Sequence, residues 1–168
     1  DADDALAVEK ASQQIMSVVN AFAGAAEGAG ATEAEAFEAA LNSVVEVVKS
    51  KANKLNDETA TDAEKTLDLT RDADLALVKT AVVAKVADET SADTTAFNAL
   101  ADDTVTAVKN VNDKIATVND LSSEEAKNTF STTQVLANQT KQAAEDEVQS
   151  AGSGSIDFTD TTKVDEAA

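Results

Sequence analysis

Apolar residues in this chain recur at steps of three and four, and no proline interrupts them. Val8, Ala11, Ile15, Val18, Phe22 and Ala25 set the pattern, which lines up side chains on one face of an α-helix. A Gly-bearing break follows at Glu27-Gly28-Ala29-Gly30-Ala31. Thr32 and Glu35 then form a capping-box pattern, in which hydroxyl and carboxylate each satisfy an otherwise unpaired amide. The next stripe is Phe37, Leu41, Val44, Val48, Ala52 and Leu55.

Polar residues 56 to 66 predict a loop, and Leu67-Asp68-Leu69-Thr70 alternates in the manner of a short extended segment. Thr70 or Asp72 stands where it would cap a third helix with Leu75, Val78, Val82 and Val86 inward. A fourth helix carries Phe97, Ala101, Thr104, Val108, Val111, Ile115 and Val118. Ser122 and Glu125 repeat the capping box before a fifth, weaker helix with Phe130, Ala137, Ala144 and Val148 near one face. Residues 151–155, Ala-Gly-Ser-Gly-Ser, have a flexible linker's composition, and Ile156-Asp157-Phe158-Thr159 is a second extended segment. The expected fold is all-α: a bundle of about five amphipathic helices over residues 1–150, with residues 151–168 as linker and tail. A shift of about ninety residues superposes Thr32, Glu35 and Ala36 on Ser122, Glu125 and Ala126. A shift of 89 superposes residues 67–70 on 156–159, so residues 1–90 and 91–168 read as duplicated halves.

Composition narrows the chemistry. Of 168 residues 35 are Ala and only five are aromatic, all Phe, which predicts a thin core. The absence of Cys removes disulfides, thiol nucleophiles and thiolate metal sites, and the absence of His removes the usual neutral-pH base and zinc ligand. With Tyr missing as well, the chain reads as non-catalytic and without a cofactor. The net charge of −19 repels phosphate, and the stacking aromatics are missing, so no nucleic-acid partner is expected. The apolar runs are too short to span a membrane. A first residue of Asp1 rather than Met reads as a processed product or a piece of something longer. An acidic, Cys-free chain suits a secreted protein of salty water, where screening relieves self-repulsion.

Three acidic clusters stand out: Asp1, Asp3 and Asp4; Asp72 and Asp74; Asp102 and Asp103. None has the ligand order of an EF-hand loop, so weak surface calcium is the only metal reading, beside the plainer one of acidic helix starts. Lys79, Lys85 and Lys114 read as solubilising surface residues, and Asn138-Gln139-Thr140 matches a glycosylation sequon. Exposed apolar-polar-apolar strands add themselves to a neighbour's sheet or groove. Ile156 and Phe158, with Leu67 and Leu69 in the matching segment, are therefore the candidate assembly residues.

Residues 5–11 (Ala-Leu-Ala-Val-Glu-Lys-Ala), 15–19 (Ile-Met-Ser-Val-Val) and 67–70 resemble the Ala-rich helical modules of very large secreted bacterial proteins. These are adhesin-like proteins with cadherin-like or repeats-in-toxin regions, common in marine bacteria. The resemblance covers roughly residues 5–80 and implies an extracellular structural or adhesive role. The chain departs from that family in lacking the calcium-binding Gly-Gly-x-Gly-x-Asp nonapeptide and any β-sandwich pattern. The expected function is a non-catalytic module of a surface assembly or filament, its partners further copies or neighbouring modules of one array. The alternative is a helical bundle that binds a ligand or lipid, such as a granule or droplet coat.

Overall fold

Helix starts and stops are set by local chemistry. The computed structural model describes residues 2–156. Its elements are α1 (Ala2–Gly28), α2 (Glu33–Ala52), a single turn α3 (Asp62–Lys65), α4 (Asp72–Glu89), α5 (Thr94–Thr117) and α6 (Glu124–Gln149), with no strand among the described residues. The chain is all-α, as its periodicity predicts. Gly30, at φ 105°, ends α1: the Ala31 amide donates to Ala26 O and the Gly30 amide to Glu27 O. That is a Schellman closure, which glycine accommodates without strain. Two residues later Thr32 opens α2 with the expected reciprocal bonds to Glu35.

The helices run alternately up and down. Lys10 Nζ reaches Ala116 O and Gln14 Nε2 reaches Asn112 O, while the Asp93 amide donates to Ala29 O, so α1 and α5 are antiparallel neighbours. Lys51 meets Asp74 at one end of the α2–α4 pair and Glu46 meets Lys85 further along, so these too are antiparallel. α1, α2, α4 and α5 thus form a four-helix ring, and α6 packs on α1 and α5. Phe22 and Phe97 pack together inside the bundle, ring centroids 6.3 Å apart. The rest of the core is chiefly Val and Ala.

α6 runs parallel to α1, and glycine sets their spacing. A β-carbon on Gly24 would lie 2.8 Å from Thr140 Oγ1 and closer still to Ala137 O. One on Gly28 would lie 2.9 Å from Ala144 Cβ and collide with Lys141 O. Four residues apart, the two glycines sit one turn apart on the same face. Gly28 therefore belongs to a packing face and not to a break. Thr140 Oγ1 donates across the seam to Ala21 O at 2.9 Å.

Several expectations are corrected. The inner face of α2 is Ala36, Ala39, Ala40, Ser43, Val44 and Val47, about one residue round from the expected stripe; Phe37, Leu41 and Val48 point outward. The stripe of α1 is buried only from Val18 onward, and Val8 is 67% exposed. Residues 2–9 run past the end of α5, since Lys10 already reaches Ala116 near its last residue. α3 interrupts the predicted loop with its own capping box, Thr61 and Glu64. α4 starts at Arg71, without a side-chain cap, rather than at Thr70 or Asp72. α6 starts at Ser123, whose hydroxyl accepts from the Ala126 amide, and Ser122 turns back to Asp120 instead. α6 buries Thr129, Thr132, Thr133, Leu136 and Thr140 and leaves Val148 exposed. The Gly-Ser stretch is tied down: Glu147 accepts from the Gly152 and Gly154 amides, and Ser153 Oγ donates to Asp146 O. These amide bonds hold the Glu147 carboxyl below its ordinary pKa.

Candidate functional site

The candidate assembly residues divide between core and periphery. Leu69 is 4% exposed, and its carbonyl accepts from Asn112 Nδ2 at 3.0 Å. It is a core residue of the bundle and not an exposed strand position. Leu67 and Ile156 are half-buried against the same core, and Phe158 lies outside the described residues. Residues 69–70 form a turn, in which Asp68 Oδ1 accepts from the Thr70 amide and hydroxyl. No strand among the described residues offers an edge to an incoming strand.

The one buried charged cluster has a structural task. Asp74, 2% exposed, faces Lys51 Nζ at 2.5 Å and Arg71 Nη2 at 2.6 Å, and its Oδ2 also accepts from the Asp68 amide. Lys51 and Arg71 both donate onward to Ala63 O, and Arg71 also to Thr66 O. The cluster thus pins the long α2–α4 connection to the bundle. Burial pushes the Asp74 carboxyl up, but the bonds from Lys51, the Asp68 amide and Arg71 outweigh it and leave the pKa lowered. Both cations are committed to carboxylate and carbonyls.

The other singled-out groups disperse. Asp102 pairs with Lys79 at 2.5 Å, and Lys85 with Glu89 and Glu46. No group of three or more metal-ligating side chains that could hold an ion occurs among the described residues. Asn138-Gln139-Thr140 lies inside α6 with Thr140 buried, a poor setting for glycosylation of the folded chain.

What remains is a surface built largely from the stripe expected to face the core, with Val45 in the place of Val44. Phe37, Leu41, Val45 and Val48, at i, i+4, i+8 and i+11, form an apolar flank along α2. All four are exposed, from 36% at Leu41 to 44% at Val48. Phe37 also walls a cleft of about 340 Å³ whose floor is α1 (Asn20, Ala23, Gly24) and whose far wall is α6 (Ala137, Lys141). Lys141 is ion-paired with Glu27 across this cleft; that bond raises the ammonium pKa, and Glu145 and Glu33 add to it. The signal for this flank lay in the Ala residues: Ala36, Ala39 and Ala40 fill the inner face, which leaves the larger residues outside.

No helix of the described residues is long and apolar enough to cross a membrane. Comparison with family models, curated proteins and solved structures finds no match.

Proposed function

We propose that this chain is a non-catalytic packing module of an extracellular bacterial surface assembly, joined to further copies or neighbouring modules through its helical faces. The apolar flank of α2 carries this reading. Soluble monomers scatter exposed apolar residues singly, and a continuous stripe marks a contact surface. The −19 charge fits the same setting, because salty surroundings screen repulsion between packed acidic modules. Secretion and an adhesive role rest on that composition and on the resemblance to Ala-rich adhesin modules. The α2 flank takes over the linking role first expected of residues 156–159.

Sedimentation and electron microscopy of the purified chain in high salt test the reading. Species larger than the monomer are expected, and truncation after Ser150 is expected to leave them intact. A strictly monomeric chain that carries a bound lipid in native mass spectrometry would displace it in favour of a ligand-binding bundle.

A further inference from the structure

α2 has two seams of unequal weight. Its inner seam is mostly Ala and Ser, with Val44 and Val47, while its outer seam holds Phe37, Leu41, Val45 and Val48. A helix that served only its own bundle would put the larger residues inside. The outer seam continues into Ala34 and Ala52, so the spacing of three and four runs the length of the helix.

The charges beside this seam are arranged for a copy of the same helix. Glu38 and Lys49 are exposed, lie about three turns apart on one edge of the flank, and have no ion-pair partner among the described residues. Two-fold symmetry between antiparallel helices sets an edge against the same edge of its partner. With the axis beside residues 43 and 44, Glu38 comes level with the partner's Lys49 at both ends of the contact. Leu41 comes level with the partner's Val45 at its centre.

We infer that two copies of this chain pair through α2, antiparallel and two-fold, with an apolar seam flanked by reciprocal Glu38–Lys49 contacts. The inference rests on the packing-module reading and names its partner. Two bodies of −19 repel, so the pairing strengthens with salt although the local ion pairs weaken.

The test is sedimentation equilibrium of the full chain at roughly 0.1 M and 1 M NaCl, with helicity followed by circular dichroism. The wild type is expected to dimerise, more so at the higher salt. Leu41→Glu, at an exposed position, should raise the dimer Kd at least about tenfold without loss of helix. Glu38→Lys and Lys49→Glu should each weaken the dimer at the lower salt, and the double swap should restore it. Assembly that survives Leu41→Glu, or a double swap no better than either single change, overturns the α2 pairing and leaves the packing reading standing. A wild type that stays monomeric at both salts overturns both.

Discussion

Phe22 and Phe97 are the only aromatic rings wholly buried among the described residues, and the thin core leans on them. Phe22→Ala should cost about 3–5 kcal/mol in urea denaturation, because small neighbours cannot collapse into the void. Phe37→Ala, at a position 39% exposed, should cost less than about 1.5 kcal/mol. Equal losses at the two sites would contradict the orientation of α2. Asp74→Ala leaves the Lys51 ammonium buried without its carboxylate and should cost about 3–5 kcal/mol. Its pH dependence has a fixed sign. The folded pKa of Asp74 lies below the unfolded value, so its contribution is complete above about pH 4 and is lost as pH falls through the folded value. Glu64 behaves alike: its bonds from the Thr61 amide and hydroxyl lower it from 4.5 to about 2, and the α3 cap is lost across that interval. An acid titration followed by amide exchange should therefore release residues 53–71 early.

At the scale of elements, the α1–α6 seam makes the sharpest prediction. Alanine is the better helix former, yet Gly24→Ala should destabilise by about 1–3 kcal/mol, because its β-carbon meets the α6 backbone. A neutral or stabilising result in urea would mean that α6 sits further away. The same seam explains what was legible in the sequence. α4 and α5 were readable because their large residues face inward: Leu75, Val78, Val82 and Val86 in one, Phe97, Val108, Val111 and Ile115 in the other. α2 is not legible in this way, because apolar bulk does not mark its buried face, which is mostly Ala and Ser. In α6 the buried Thr132 and Thr133 turn their hydroxyls back onto the helix, to Thr129 O and Phe130 O, and so pass as core. Gly24 gave no periodic signal, since a missing side chain leaves none. The 2–9 overhang was unreadable for a different reason: it depends on where α5 stops, which helical spacing in α1 does not encode. Three residues of the candidate packing flank, Phe37, Leu41 and Val48, stand in the expected stripe but face the other way, and Val45 was not in it.

On the scale of the whole molecule, charge governs the response to solvent. With 32 acidic and 13 basic residues, self-repulsion acts on the folded chain, while most ion pairs lie at its surface. Added NaCl should therefore raise the melting temperature between roughly 0.1 and 1 M, since screening relieves more repulsion than it removes attraction. A fall would mean that the surface pairs dominate. Acidification has two opposed effects: protonation first lightens the net charge, then dismantles Asp74 and the capping carboxylates, so stability should peak at mildly acid pH. The parallel course of α1 and α6 has a mechanical consequence as well. The first described residue and the last turn of α6 lie at opposite poles of the bundle. Tension along the chain pulls these two helices lengthwise in opposite directions, so the glycine-spaced seam is loaded in shear, every contact at once, rather than unzipped turn by turn. A chain held at those two poles would resist stretching through that seam.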